Sequence, residues 1–74
     1  MITGMTRGHI DLDIDGRTIR LQGEGYHHGP VLFDVYLSAH LRWNDGTEVT
    51  DDDREIIIAD LKATGLAIEI IGGP

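Results

Sequence analysis

Cysteine is absent from these 74 residues, so no disulfide and no thiolate metal site can form, and a reducing, cytoplasmic setting is expected. Bases are scarce: six Lys and Arg stand against thirteen Asp and Glu, a formal charge of −7. That shortage argues against nucleic acid as a partner, because phosphate binding relies on cations. A basic partner would instead be steered toward this surface, although acidity also keeps a small domain soluble. Long apolar runs are missing too. None approaches the roughly 20 residues of a membrane helix, so no membrane association is expected. Met1-Ile2-Thr3-Gly4-Met5 is too short for the charged and apolar regions of a secretory signal. A chain of this size buries only about 60% of the surface its unfolded form exposes, which allows one domain with one modest core.

What is present is strongly patterned. Thr6 to Gln22 reads TRGHIDLDIDGRTIRLQ, in which Ile10, Leu12 and Ile14 alternate with His9, Asp11, Asp13 and Asp15. This is the period-two signature of a strand with one wet face. Asp15-Gly16 is a strong hairpin signal, because a type I′ turn needs positive φ at both central residues. With a two-residue loop there, Leu12 falls opposite Ile19, Ile10 opposite Leu21, and Asp11 opposite Arg20. A one-residue slip would mix apolar and charged faces, so the register is specified.

Residues 1 to 7 read as a loose start and Gly72-Gly73-Pro74 as a frayed end of a single domain spanning 1–74. Gly23 to Pro30 reads as a glycine-rich surface loop. Val31, Phe33, Val35, Leu37, Ala39, Leu41 and Trp43 share one parity over thirteen residues, long for one strand in a small domain. A break near Ser38-Ala39 is therefore expected, giving a second hairpin with strands near 32–37 and 40–43. Asn44-Asp45-Gly46-Thr47 is a turn. Thr50 is the expected N-cap of a helix, with Asp51, Asp52 and Asp53 at the positive end of its dipole and Asp53 completing a capping box. The helix should run to about Thr64 and stop at a left-handed Gly65, with Leu66 folding back on Leu61. Leu66 to Ile71 reads as a last strand. The fold class is α+β: a small antiparallel sheet of four or five strands with one helix on one face, in the order β-β-β-β-α-β.

On that helix Ile57, Ile58 and Leu61 form the stripe assigned to the sheet. Ile56, Ala59 and Ala63 fall on a second side, where a self-associating protein would place a dimer face.

Candidate chemistry is thin. His27 and His28 are adjacent, so on an extended loop they point to opposite sides, and a zinc site with Asp34 would need unusual geometry. No H-x-x-x-H, His-Cys or G-x-S-x-G element is present, and no metal or cofactor is expected. His9 and His40 fall on the polar faces of predicted strands. Asp11, Asp13 and Asp15 lie on one face, with Arg17 and Arg20 on the adjoining strand as counter-charge, so they read as ordinary ionised surface acids. Asp45, Glu48, Asp51, Asp52 and Asp53 form a denser acidic block with no base between Trp43 and Arg54. Trp43 keeps the core parity of its strand. Tyr36, on the polar parity, is the residue best suited to anchor a contact, since tyrosine and tryptophan dominate interfaces.

Thr6-Arg7-Gly8-His9-Ile10, Ile14-Asp15-Gly16-Arg17-Thr18-Ile19, Phe33-Asp34-Val35-Tyr36 and Leu41-Arg42-Trp43, with an acidic helix behind them, resemble the immunity protein 74 family of bacterial polymorphic toxin systems. The resemblance spans roughly residues 6 to 71. It implies a small α+β protein that binds and neutralises a cognate toxin without chemistry of its own. The charge fits a nuclease target, because an acidic inhibitor can imitate the substrate of a basic cleft. The expected contacts are Asp11, Asp13, Tyr36, His40, Asp45 and Glu48. Two competing readings are a self-associating structural module, using Ile56, Ala59 and Ala63 or a sheet edge, and a ligand binder or enzyme using Glu24, His27 and His28. The last needs a concave pocket that so small a domain can hardly enclose.

Overall fold

The computed structural model describes residues 1–26 and 29–72. Asp15 and Gly16 adopt φ of +52° and +88°, as a type I′ turn requires. The hairpin around them closes in the register its alternation predicts. β2 (His9–Ile14) runs antiparallel to β3 (Arg17–Gly25), with Ile10 opposite Leu21, Asp11 opposite Arg20 and Leu12 opposite Ile19. Ile10, Leu12, Ile19 and Leu21 are fully buried.

The expected loose start contains a strand. β1 (Ile2–Met5) pairs antiparallel with β2, placing Ile2 opposite Leu12, and the Asp13 N–H donates to the Met1 carbonyl at 2.9 Å. The register shifts between Ile2 and Gly4. A strand this short, interrupted by a bulge, shows no period in the sequence; its backbone bonds to β2, Ile2 packed against the core and the Met1 amino group paired with Asp60 hold its place.

β3 outlasts its first partner. Its last three residues pair with β4 (Phe33–Leu37), Gly23 opposite Val35, Glu24 opposite Asp34 and Gly25 opposite Phe33. Gly23-Glu24-Gly25 is therefore strand rather than loop. The glycine at 23 is a packing requirement: a Cβ there would lie 2.0 Å from the Asp34 carbonyl oxygen and 2.3 Å from Phe33 Cε1.

The second hairpin does not form as expected. The strand near 32–37 is present as β4, but 40–43 does not pair with it. Leu41 to Val49 closes on itself, with Trp43 N–H donating to the Thr47 carbonyl at 2.9 Å and Val49 N–H to the Leu41 carbonyl at 3.1 Å. Gly46 turns this small loop at φ +92°, and Arg42 and Glu48 form an isolated bridge. Alternation is satisfied equally by a sheet strand and by a loop that folds its apolar side inward, and Trp43 is buried as its parity requires.

α1 (Asp51–Ala63) begins with the predicted capping box: Thr50 Oγ1 accepts the Asp53 N–H, and Asp53 Oδ2 accepts the Thr50 N–H, both at 3.1 Å. It stops at Thr64 before Gly65, whose φ is +73°. Leu66 N–H bonds to Thr64 Oγ1 at 3.1 Å, and the Leu66 side chain is exposed, so the expected contact with Leu61 is not what ends the helix. Ile57 and Leu61 are buried and Ile58 packs against the core. The helix crosses from β4 to β5 (Ile68–Gly72), which runs parallel to β4. A helical crossover brings two strands together in parallel, so the sheet is mixed rather than wholly antiparallel. Its strands lie in the order β1-β2-β3-β4-β5, and the element order is β-β-β-β-α-β. Core side chains from β2, β3 and β4 pack with Trp43, Ile57 and Leu61 on one face of the sheet. The other face is open. No helix among the described residues is long and apolar enough to cross a membrane.

Candidate protein-binding surface

The residues expected to contact a partner fall into two groups. Asp11 and Asp13 on β2, and Tyr36 on β4, share the open sheet face. Tyr36 is 41% exposed. Asp11 is already engaged: Arg20 donates to it through Nε at 2.8 Å and Nη2 at 3.2 Å, and His9 Nε2 lies 3.6 Å away. The hydrogen bond from Arg20 holds the Asp11 carboxyl below its ordinary range. Asp13 accepts the Gly16 N–H at 3.0 Å and so belongs to the turn. These two acids serve the hairpin first.

His40, Asp45 and Glu48 lie on the segment between β4 and α1, and all three are exposed. Asp45 accepts the Thr47 hydroxyl at 2.7 Å and the Thr47 N–H at 2.9 Å, which lowers its pKa. Glu48 faces Arg42 at 3.7 Å. The acidic block that has no base in sequence acquires two in space, Arg42 and Arg17. The Arg17 guanidinium sits 4.1 Å from the centre of the Trp43 ring, donates to Thr47 at 3.0 Å and lies 3.7 Å from Asp53. Arg17 is thus spent here rather than on Asp13 or Asp15. Asp53 also accepts the Trp43 indole N–H at 3.2 Å, and the Thr50 N–H and this bond depress its pKa. The block is a structural junction.

On the helix, Ile56 is 50% exposed, and Ala59 and Ala63 are exposed beside it. His27 and His28 lie outside the described residues, and so do the sites that would use them with Glu24 or Asp34. Among the described residues no group of three or more His, Cys, Asp or Glu is placed to hold a metal.

Sequence reasoning missed a third group. Strand register sets Glu24 of β3 opposite Asp34 of β4, and Asp34 opposite Glu69 of β5. Three carboxylates therefore stand abreast on the open face, and among the described residues none has an ion-pair partner. Like charges directly opposite destabilise a sheet. The next row on this face pairs Tyr36 with Ile71, which is 37% exposed. Tyr26, just past the end of β3, donates its hydroxyl to Asp34 Oδ2 at 2.6 Å. That bond, with burial and the charge of Asp34 behind it, pushes the phenol up to about 12. Tyr26 also borders two clefts. One, about 290 Å³, is lined by Met5, Thr6, Arg7, Gly25, Leu32 and the buried Phe33. The other, about 280 Å³, is lined by Gly29, Pro30, Val31, Asp34 and Glu69.

Fold and surface define a small one-helix α+β domain whose sheet is covered on one face and left open, acidic and partly aromatic on the other. The chain belongs to the immunity protein 74 family, Imm74, whose family model matches residues 1–70. Comparison with curated proteins and with solved structures gives no match.

Proposed function

We propose that this protein binds a cognate bacterial toxin one to one in the cytoplasm and neutralises it by occupying its working surface. Membership of an immunity-protein family is the observation that carries the reading. The charge of −7 and the open sheet face support it. Under this reading the protein performs no reaction, needs no cofactor, and has neither nucleic acid nor membrane as a partner. A nuclease is the target class that an acidic inhibitor fits best, since its cleft is built to attract phosphates.

The test is co-expression with the product of the adjacent upstream gene. Relief of growth arrest together with a co-purifying one-to-one complex is the expected result. A toxic neighbour that is neither bound nor neutralised would refute the reading.

A second reading rests on the exposed Ile56, Ala59 and Ala63 side of α1: self-association through that face. It predicts a dimer that Ile56→Glu dissolves. A monomeric wild type at micromolar concentration removes it.

A further inference from the structure

The first observation is an apolar one. Met5, Tyr26 and Leu32 are each 36–40% exposed and ring a cleft floored by the buried ring of Phe33. Large apolar side chains gathered at a concave spot are what interfaces use to hold an anchor residue. The glycines at 23 and 25 keep that floor open. Phe33 carbons approach to 2.3 Å and 3.4 Å of where their Cβ atoms would sit, so the ring can lie flat on the β3 backbone.

The second observation is electrostatic and independent of the first. Glu24, Asp34 and Glu69 are aligned by backbone register, not by a turn or a helix cap that would account for them. The chain gives a cation to several acids elsewhere: Asp11 has Arg20, Asp53 has Arg17 and Glu48 has Arg42. Here it leaves three side by side, at a cost to the sheet.

Tyr26 joins the two features, lining both clefts and bonding to the central carboxylate. We propose that Tyr26 divides one bipartite docking site, in which a toxin loop places an apolar side chain in the cleft over Phe33 and an adjacent Lys or Arg against Asp34 and Glu69. The occupant is a basic protein segment because, among the described residues, the charged groups that line the second cleft are the carboxylates Asp34 and Glu69, so charge complementarity disfavours a second copy of this acidic chain. The apolar cleft requires more than charge, which distinguishes the site from a merely acidic patch. This assignment rests on the toxin-binding reading and moves the expected contacts from Asp45 and Glu48 to the β3–β5 end of the sheet.

The test uses the full chain and the product of the adjacent upstream gene, with affinity and association rate measured for four variants that first pass a thermal melt. Tyr26→Ala is expected to weaken the complex at least about tenfold. Tyr26→Phe, which keeps the ring and loses only the hydroxyl, should stay within about threefold of wild type. Glu24→Lys with Glu69→Lys should slow association about tenfold at low salt, the deficit shrinking as salt screens it. Glu55→Lys, an exposed helix acid away from the site, should change little. Wild-type complex with all four variants binding alike would overturn the site and leave toxin neutralisation standing. No complex with the wild-type chain would overturn both.

Discussion

The two ends of β3 are built by opposite rules. At the hairpin end, residues 17–22 meet β2, Ile19 and Leu21 face Leu12 and Ile10, and Asp11 is matched by a two-pronged bond from Arg20. At the glycine end, residues 23–25 meet β4, two glycines let the Phe33 ring lie on the backbone, and Glu24 faces Asp34 with no ion-pair partner for either among the described residues. The first end optimises the fold. The second gives up charge balance, and such local conflicts concentrate where a surface has another task. The contrast lies within one strand, so differences of element type or chain position do not explain it.

Gly23→Ala breaks the contrast most severely. With its Cβ driven into Asp34 and Phe33, it should cost on the order of 3 kcal/mol and lower Tm by about 15 °C, read by circular dichroism. Gly8→Ala, where nothing lies within 4 Å of the added carbon, is the matched control and should shift Tm little. Leu12→Ala, at the well-packed end, should cost about 3 kcal/mol through the cavity it leaves.

Charge changes are smaller and should have opposite signs at the two ends. Glu69→Gln removes a like charge from the row and should raise Tm by about 2 °C. Asp11→Asn removes the partner of Arg20 and should lower it. The pH profile sharpens this. Asp11 and Asp53 have carboxyl pKa values below the ordinary 3.8, so their contribution is present above that value and is lost as pH falls through the depressed folded values. Acid melts of the Asp11→Asn variant should therefore show a weaker loss of stability than wild type.

Tyr26 gives the most local readout. Its phenol should ionise near 12 in ultraviolet titration, and Asp34→Asn should bring it back toward 10. The stability tied to this bond is present below pH 10 and lost as pH rises toward 12, because the unfolded chain releases the proton first. An unshifted midpoint in Asp34→Asn would show that the 2.6 Å bond is not the cause.

The hairpin register and the helix start were legible because each rests on contacts between near neighbours: Asp15-Gly16 with its flanking alternation, and Thr50 with Asp53. The parallel placement of β5 was not, because a strand ending in Ile68-Glu69-Ile70-Ile71 reads the same beside either neighbour. β1 was hidden by its shortness and its bulge. The candidate site was largely illegible for the same reason. Glu24, Asp34 and Glu69 are unremarkable on three separate strands, and only the register of two pairings sets them abreast. Asp45 and Glu48 drew attention as a run of acids in sequence, whereas folding brings Arg17 and Arg42 to them. Tyr36 was legible as an exposed aromatic from parity alone, and the structure places it one row from the acidic trio.

Amide hydrogen exchange of the toxin complex tests the division of labour most directly. The account predicts added protection, relative to the free protein, around Tyr26, Leu32 and Glu69, with the Asp15-Gly16 turn and the loop at Asp45 unchanged. Protection confined to the hairpin turn and the Asp45 loop would contradict it and return the contact surface to the acids that stand together in sequence.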